Sequence, residues 1–373
     1  MKEVIVISGS IYGNLFRIST WGESHGKGIG VVVDGCPSGL QLNEEMIQAY
    51  LNRRRPGQNK YATERQEKDL VEILSGVFEG KTTGTPISMA VMNTNQRSVD
   101  YTDIANYYRP GHADYTFDEK YGFRDYRGGG RSSGRETTAR VAAGAIAKSI
   151  LSQLGIEVCA YTKSIGDITI DYKNCNKENI LTSPVAMPDL TASLLATELL
   201  EKRMQESDST GGVIECIVTG MPVGIGEPVF EKLDANLGKA ILSIGAIKGI
   251  EFGSGFNAAL SSGSKNNDNF QINEDGKVIK LSNHAGGILG GISDGSEIIF
   301  RAAVKPTSSI AKSQKTITKT GENIEVSIHG RHDPIIVPRA VVVVESMTAI
   351  TLVDMLFMNM TAKMDYIKKV YKK

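Results

Sequence analysis

Apolar and polar positions along the chain follow two rhythms, which predict a mixture of strands and helices. Short apolar runs rich in β-branched residues predict strands at residues 15–20, 29–35, 156–170, 213–220, 297–306 and 322–330, with shorter strands between 71 and 92. Longer stretches predict helices at residues 44–54, 136–155, 189–206 and 229–244, and a long apolar helix starting near Pro338. No linker-like segment separates these elements, so the pattern predicts a single large domain, residues 1–373, of α/β (mixed α+β) class.

Two of the predicted helices carry recognisable end signals. Asn43 has the side chain of an N-cap residue, and Pro56-Gly57 follows the same helix as a stop signal. The second helix starts around Glu136 and runs through the alanine-rich VAAGAIAKSIL to Gly155, which suits a C-cap. Three successive arginines therefore crowd the C-terminal end of the first helix.

The overall charge limits the classes of partner. The 373 residues include 42 basic and 42 acidic side chains, which gives a formal net charge of zero. A protein that binds nucleic acid by neutralising phosphates is normally basic overall or along one face, so this class is disfavoured. The 40 glycines exceed the usual share of about 7% and fall in short clusters beside charged residues. This clustering predicts many tight loops around a site.

The cysteines and the N-terminal residues indicate in which cellular compartment the protein is expected. Cys36, Cys159, Cys175 and Cys216 are far apart and form no C-x-x-C pair, which predicts free thiols in a reducing environment. The first ten residues, MKEVIVISGS, contain an apolar run of only four residues, which is too short for a signal peptide or a membrane span. We therefore expect a cytoplasmic protein with no membrane partner.

The run GFRDYRGGGRSSGRETTAR, residues 122–140, sets five arginines against two acids. Three successive glycines, residues 128–130, would cost about 1 kcal/mol each inside a helix, so the first arginines belong to a loop. Arg131, Ser132 and Ser133 then lie just before a helix N-terminus, where free N–H groups and the helix dipole favour a phosphate or carboxylate. The run therefore predicts a site for a small anion rather than a solvated helix face.

The chain has only five histidines, and two of them lie in glycine- or proline-rich loops near arginines. These are His25 in GESHGKG and His112 in RPGHAD. Because imidazole titrates near neutral pH, both are candidates for proton transfer beside an anion. His284, His329 and His332 are interpreted as structural.

Two further segments carry candidate chemistry. Lys305 to Ser309, KPTSS, ends a predicted strand with one cation and three hydroxyls, which could ligate a phosphate or the edge of a heterocycle or could form an ordinary polar turn. Arg331 and Asp333 flank His332 just before a proline. Arg331 and Asp333 either form a structural salt bridge or place a carboxylate next to a reacting centre.

Two short motifs suggest other functions. Gly22 to Gly26 fits the G-x-S-x-G nucleophile elbow, with Ser24 as the nucleophile of a serine hydrolase. That motif needs a following helix, whereas the glycines and valines that follow here favour a strand. Residues 75–82, SGVFEGKT, lack the first glycine of a P-loop. A serine hydrolase and a non-enzymatic anion- or nucleotide-binding protein remain the alternatives.

Three long motifs together resemble the chorismate synthase family. They are GNLFRISTWGESHGKGIGVVVDGCP near the start, YRGGGRSSGRETTARVAAGAIAK in the middle and GRHDPIIVPRAVVVVESM near the end. RRRPG, NHAGGILGGIS and KPTSS lie between them in the order that the family has. The resemblance covers essentially the whole chain and is much more specific than either short motif.

The resemblance implies a lyase of the shikimate pathway. Such an enzyme removes phosphate and a proton from 5-enolpyruvylshikimate 3-phosphate in an anti 1,4-elimination that gives chorismate. It needs reduced FMN, although there is no net redox change, and the use of NADPH to reduce the flavin stays open. The resemblance also implies a sandwich of β-sheets around a helical core and a homotetramer. No nucleic acid or metal is implied.

The resemblance also assigns residues to roles. It implies that His25 donates a proton to the reduced flavin, that His112 lies by the substrate phosphate or assists its departure, and that Asp333 relays the abstracted proton. The flavin-contact positions are Arg131, Ser132, Ser133, Ala246, Gly290, Lys305, Pro306, Thr307, Ser308, Ser309 and Arg331. The positions expected for substrate anions are Arg54, Arg109 and Arg127, and those for NADP are Arg54 and Lys60.

Three positions depart from the family pattern. Lys60 replaces the usual arginine, which weakens any bidentate contact there. Gly245 replaces an Asn or Gln before Ala246, so one side-chain contact to the flavin is missing. Gly134 replaces the alanine of RSSARET but leaves the Arg-Ser-Ser group in place.

Overall fold

The computed structural model describes residues 9–62, 67–94, 103–328 and 333–372, in which strands and helices alternate along the chain. The strands are β1 Ile11–Tyr12, β2 Arg17–Gly22, β3 Gly28–Asp34, β4 Val71–Ile73, β5 Val77–Phe78, β6 Lys81–Thr82, β7 Ile87–Met92, β8 Glu157–Ile165, β9 Ile168–Thr169, β10 Gly212–Thr219, β11 Ile247–Phe252, β12 Phe270–Ile272, β13 Val278–Lys280, β14 Ile288–Leu289, β15 Ile292–Ser293, β16 Ile298–Val304, β17 Gln314–Ile317 and β18 Asn323–Val326. The α-helices are α1 Glu44–Arg54, α2 Asp114–Tyr121, α3 Thr137–Gln153, α4 Asn179–Thr182, α5 Leu190–Gln205, α6 Leu233–Leu242, α7 Gly263–Asn266, α8 Val337–Met358 and α9 Met364–Tyr371.

Two five-stranded antiparallel sheets enclose a layer of helices. The first sheet has the order β1-β2-β3-β7-β4 and the second has the order β11-β16-β10-β8-β9. Helix α3 packs on β3 of the first sheet, helix α8 packs on β8 and β10 of the second, and the two helices pack on each other. The predicted sandwich of sheets around a helical core is therefore confirmed.

The two central helices approach closely because small residues line their contact. A Cβ atom added at Gly144 of α3 would lie 2.2 Å from the Cβ of Ser346 on α8, so only glycine fits there. Ala143 and Ala147 of α3 are fully buried beside it. The alanine-rich run of the sequence thus serves close helix packing between the sheets.

Helix α8 is long and apolar enough to cross a membrane, but 83% of its apolar stretch is buried inside the protein. Its one deeply buried acid near the middle, Glu345, is compensated by neighbouring elements. Arg53 donates to both carboxylate oxygens, at 2.7 and 3.1 Å, while Lys148 and the backbone N–H of Ala160 also donate to it. These partners are what a buried carboxylate requires, and the helix is a core element.

Most predicted elements lie where the sequence placed them, with differences at their ends. Helix α1 spans the predicted residues, and the Asn43 side chain accepts from the backbone N–H of Met46 at 3.0 Å, which confirms the N-cap. Helix α6 is shorter than predicted because Val229 has a left-handed backbone, with φ of 70°. The predicted strand at 156–170 divides into β8 and β9 around Gly166. The N-terminal run discussed above, residues 1–8, lies outside the described residues.

Candidate functional site

His25 lies in the tight turn between the antiparallel strands β2 and β3. No helix follows the turn, so the nucleophile-elbow interpretation of Ser24 is wrong. Asn93 fixes the turn, since its side-chain amide donates to the carbonyl groups of Glu23 and Gly26, both at 2.9 Å. The imidazole is 7% exposed. The turn therefore holds a buried histidine at the edge of the first sheet.

The glycine run of the arginine-rich segment packs directly against this turn. Gly128, Gly129 and Gly130 all have left-handed backbones, with φ of 62°, 81° and 52°. A Cβ atom at Gly128 would lie 2.3 Å from Nδ1 of His25, and one at Gly129 would lie 3.7 Å from a guanidinium nitrogen of Arg109. At Gly130 an added Cβ would meet no atom within 4 Å. The run thus joins the His25 turn to the loop of Arg109 and leaves open space beside them.

Arg109 and His112 lie in a second loop, just before α2. Nε and Nη2 of Arg109 donate to the two carboxylate oxygens of Asp114, both at 2.8 Å, and both side chains are buried. In His112, Nδ1 lies 3.0 Å from the carbonyl oxygen of Pro110 and Nε2 lies 2.9 Å from Oγ of Ser309. Burial, reinforced by the charge of Arg109, lowers the pKa of His112 to about 4. The imidazole is therefore neutral at pH 7.

The segment from Lys305 to Ser309 clamps the His112 loop. Nζ of Lys305 donates to the carbonyl oxygen of Gly111 at 2.7 Å and to Oγ of Ser308 at 2.8 Å, and Ser308 donates to the same carbonyl at 3.1 Å. Lys305, Ser308, Ser309, Gly111 and His112 are called the loop cluster below. Two sequence segments that were predicted separately thus form one structural unit.

Other members of that segment extend the unit. Thr307 has a buried hydroxyl with no hydrogen-bond partner among the described residues, and Pro306 is exposed. The backbone N–H of Lys305 donates to the carbonyl of Ala246 at 2.9 Å, and Ala246 has a left-handed backbone with φ of 71°. The structure therefore brings Ala246 beside the loop cluster.

Arg131 and Ser132 lie in a short 3-10 turn, Gly130–Ser132, and a second 3-10 turn, Gly134–Glu136, separates Ser133 from α3. The Arg131 guanidinium donates to the backbone carbonyl of Gly22 at 3.1 Å and to the hydroxyl of Thr20 at 2.7 Å. Its side chain therefore ties the glycine run to the hairpin of β2 and β3. An anion at this point would have to be met by backbone N–H groups or by a rearranged guanidinium.

A buried ion cluster lies on the other side of the start of α3. Arg54 and Arg135 share the carboxylate of Asp69, and all three side chains are at most 4% exposed. We call these three residues the arginine cluster. Arg54 also donates to the hydroxyl groups of Thr137 at 3.1 Å and Thr138 at 2.6 Å. Two guanidinium groups with one carboxylate leave an excess of buried positive charge.

Arg135 has a buried N–H group that donates to no other group among the described residues. Its Nε donates to Oδ1 of Asn93 at 3.0 Å, so it connects the arginine cluster to the His25 turn. Its Nη2 is buried and has no hydrogen-bond partner among the described residues. Sequence reasoning counted Arg135 in the run without assigning it a role, and nothing in the sequence around Asp69 or Asn93 marked them. Their signal exists only in three dimensions.

Arg339 connects Asp333 to the arginine cluster. Its Nη1 donates to the carboxylate of Asp333 at 2.6 Å, and its Nε donates to the backbone carbonyl of Arg54 at 3.1 Å. Beside Arg339 is a cleft that is also lined by Arg53 and Tyr61. Neither His25 nor His112 lines that cleft. Arg331, His329 and His332 lie outside the described residues.

Three predicted positions lie apart from this region or on its rim. Gly290 is exposed in the turn between β14 and β15, where Gly291 accepts from the N–H of Leu233 at the start of α6. Lys60 is exposed on the surface and pairs with Glu201. Arg127 is half-exposed and binds Asp125 at 2.8 and 2.7 Å. Within the described part of the chain, the polar contacts recorded for them do not involve the loop cluster.

The donor set of the loop cluster and its neighbours suits an anionic group. It contains a lysine, serine hydroxyls and, at Thr307, a buried hydroxyl that has no hydrogen-bond partner among the described residues. Partial burial lowers the pKa of Lys305, and Lys248 adds to this effect. Cations and hydroxyls around a glycine-rich backbone are suited to hold an anionic group.

Comparisons with known proteins identify the family of the chain. Residues 16–357 match the family model described as chorismate synthase. The chorismate synthase of Lachnoclostridium phytofermentans is 70% identical over 367 residues, covering 98% of this chain and 100% of that protein. That of Lachnospira eligens is 65% identical over 367 residues with the same coverage, 98% and 100%. A solved structure described as the crystal structure of chorismate synthase superimposes with a TM-score of 0.74 at 32% identity and covers 97% of each chain.

Proposed function

The chain belongs to the chorismate synthase family of lyases, and from this premise we propose that it converts 5-enolpyruvylshikimate 3-phosphate into chorismate and phosphate. The observation that carries the proposal is the convergence of the His25 turn, the glycine run and the loop cluster. These segments are far apart in sequence, yet Gly128 contacts His25, Gly129 faces Arg109, and Ser309 contacts His112. The glycine run thus links the loops that carry the two histidines and Arg109.

The charges suit the proposed substrate. The substrate carries two carboxylates and a phosphate, and guanidinium groups recognise such groups with paired hydrogen bonds. We propose that Nη2 of Arg135 takes one of these anionic oxygens, since it is buried and has no hydrogen-bond partner within the described ranges of the chain. Lys305 and Arg109 provide further positive charge. Arg54 contributes mainly as a fixed buried charge, because Asp69, Thr137 and Thr138 already accept from it.

In the proposed elimination, the ring C–O bond breaks and its electron pair leaves with the phosphate. The electron pair of a ring C–H bond completes the diene, and the proton passes to the carboxylate of Asp333, which Arg339 orients. Reduced FMN, when bound, would lend an electron to the substrate ring and take it back as the proton is lost, so that there is no net redox change. Lys305, Thr307 and Ser308 are proposed to hold it, and His25 to hold a proton for it.

One assay tests the function directly. The protein is incubated anaerobically with 5-enolpyruvylshikimate 3-phosphate and reduced FMN, and chorismate and phosphate are measured. We expect both products in equal amounts and neither when the flavin is oxidised. Folded protein that forms neither product with reduced FMN would refute the proposal.

His112→Ala tests the role of the loop cluster in that assay. We expect turnover to fall by about 10²- to 10⁴-fold, because a positioned proton-transfer group is lost. Flavin affinity, measured by fluorescence quenching, should change by only a few-fold. Unchanged turnover would remove His112 from the mechanism.

The source of the reducing electrons is a separate part of the proposal. Arg54 pairs with Asp69 in the interior, and Lys60 pairs with Glu201 at the surface. Neither is a ready site for a dinucleotide phosphate, so we propose that the flavin arrives already reduced. Anaerobic oxidation of NADPH by the protein with FMN, at a rate matching turnover, would contradict this.

We also propose a homotetramer in the cytoplasm. Several large apolar side chains near the second sheet are highly exposed in the single chain, among them Phe256 at 84%, Leu260 at 87% and Phe270 at 62%. An assembly would cover such a surface. Light scattering should give four times the 40.3 kDa chain mass, and a monomer at micromolar concentration would refute the tetramer.

A further inference from the structure

The hydrogen bonds of His112 determine which ring nitrogen carries the proton. Nδ1 lies 3.0 Å from the carbonyl oxygen of Pro110, and a carbonyl oxygen can only accept. Nδ1 must therefore donate, so it carries a hydrogen atom. In a neutral imidazole the other nitrogen then has a free lone pair.

The surroundings of the ring keep it neutral. Burial is the main cause of its low pKa of about 4, and Arg109 and Lys305 add to it by repelling a positive ring. The Pro110 carbonyl and Asp114 act in the opposite direction but are outweighed. Nε2 is consequently an acceptor in the free protein, and the Ser309 hydroxyl at 2.9 Å is its donor.

Ser309 is itself well fixed. Only 9% of the surface of Ser309 is exposed. The neighbouring Ser308 and Lys305 bind the carbonyl of Gly111, and a Cβ added at Gly111 would lie 2.8 Å from Oγ of Ser308. The segment from Lys305 to Ser309 and the loop of His112 are thus in close contact next to the hydrogen bond between Ser309 and His112.

We propose that Ser309 is a positioning residue for His112: its hydroxyl donates to Nε2 and holds the imidazole in the Nδ1–H form. The hydrogen bond and the tautomer do not depend on the proposed function; only their consequence for the reaction rests on it. A phosphate group that reaches Nε2 receives no hydrogen bond from it until the ring gains a proton. The negative charge of the phosphate favours that gain, so substrate binding and protonation of His112 are coupled.

The tautomer can be read by ¹⁵N NMR of the imidazole groups in the free protein, without flavin or substrate. His112→Gln identifies the signals among those of the five histidines. We expect the Nδ1–H form in the wild-type protein, with no titration above about pH 5. Observation of the Nε2–H form would overturn the proposal.

The hydroxyl of Ser309 stabilises the neutral form of the ring by donating to Nε2. Because Ser309→Ala removes this donor, the titration midpoint of His112 should rise by on the order of half to one pH unit. Ser309→Thr keeps a hydroxyl and should restore the wild-type midpoint. Ser308→Ala is the matched control, because Ser308 contacts Lys305 and Gly111 but not His112. It should leave the midpoint unchanged.

A midpoint in Ser309→Ala equal to that of the wild type would also overturn the proposal. If this variant fails to fold, the tautomer of the wild-type protein decides the question. In the elimination assay, Ser309→Ala should shift the acid limb of the kcat/KM profile upward, and Ser309→Thr should not. Because the NMR readout needs no turnover, failure of the elimination assay and failure of this proposal are distinguishable.

Discussion

The arginine cluster and the loop cluster both contribute charged groups to the candidate site, but they are held in different ways. The arginine cluster, Arg54, Asp69 and Arg135, sits between the end of α1 and the start of α3 and is at most 4% exposed. The loop cluster lies between two loops that are joined by hydrogen bonds to hydroxyl groups and backbone carbonyls. In the first, buried ion pairs hold charged groups at the ends of two helices; in the second, loops hold a neutral histidine.

The difference separates two tasks. A buried charge excess provides a permanent field for an anion, and it need not move during a reaction. A neutral imidazole can change its protonation when a charge arrives, and this requires a group whose pKa responds to its surroundings. We therefore expect substitutions in the arginine cluster to affect stability most, and substitutions around the histidines to affect turnover most.

Asp69→Asn should have the largest effect on stability. It keeps the size of the side chain and tolerates the left-handed backbone at this position, φ of 48°, but leaves two buried guanidinium groups without a counter-charge. We expect the free energy of unfolding in urea to fall by about 3–5 kcal/mol.

The matched control is the exposed pair of Arg17 and Asp34, whose side chains are 52% and 45% exposed. Asp34→Asn should cost about 0–1 kcal/mol. Equal losses for the two variants would show that burial does not decide the strength of these pairs.

Gly128→Ala tests the packing of the glycine run on His25. The added Cβ would lie 2.3 Å from the imidazole and would occupy a left-handed backbone, so the ring must move. We expect turnover to fall by about 10²-fold, since small displacements of a reacting group have effects of that size. Gly122→Ala carries the same backbone strain, φ of 70°, with nothing within 4 Å of the new atom. A similar loss of turnover in that control would attribute the effect to strain alone.

The local apolar patterns predicted the strands, the helices and their mixed class, whereas the sandwich arrangement was predicted only through the family resemblance. The sequence also marked His25, His112 and Lys305 to Ser309, because unusual residue types cluster there. It could not predict that Asp69 joins Arg54 to Arg135, since an aspartate between Lys68 and Leu70 carries no local signal. The 3-10 turns before α3 were missed for a related reason: the hydrogen bonds of Arg131 to the hairpin shape that segment.

Acid pH should weaken the loop cluster in a predictable direction. The folded pKa of His112, about 4, lies below the ordinary value near 6.5. The unfolded chain therefore binds more protons between these two values, and the stability due to neutral His112 is complete above about pH 6.5 and is lost as the pH falls towards 4. Between pH 7 and pH 5 the wild type should lose about 1 kcal/mol more than His112→Gln in urea unfolding, a figure reduced for partial exposure. Parallel losses in the two proteins would show that His112 is not the group responsible.

Arg127→Ala should have the smallest effect, although Arg127 binds Asp125 with the same forked geometry that Arg109 uses for Asp114. The Arg127 and Asp125 side chains are 42% and 30% exposed, against 6% and 5% for the buried pair. Water screens the exposed pair, so we expect the free energy of unfolding to fall far less than in Arg109→Ala, which removes one partner of a buried pair. A substrate affinity that falls tenfold or more in Arg127→Ala, with stability unchanged, would support the anion-binding role predicted from the family resemblance. Unchanged affinity would instead limit Arg127 to its pairing with Asp125.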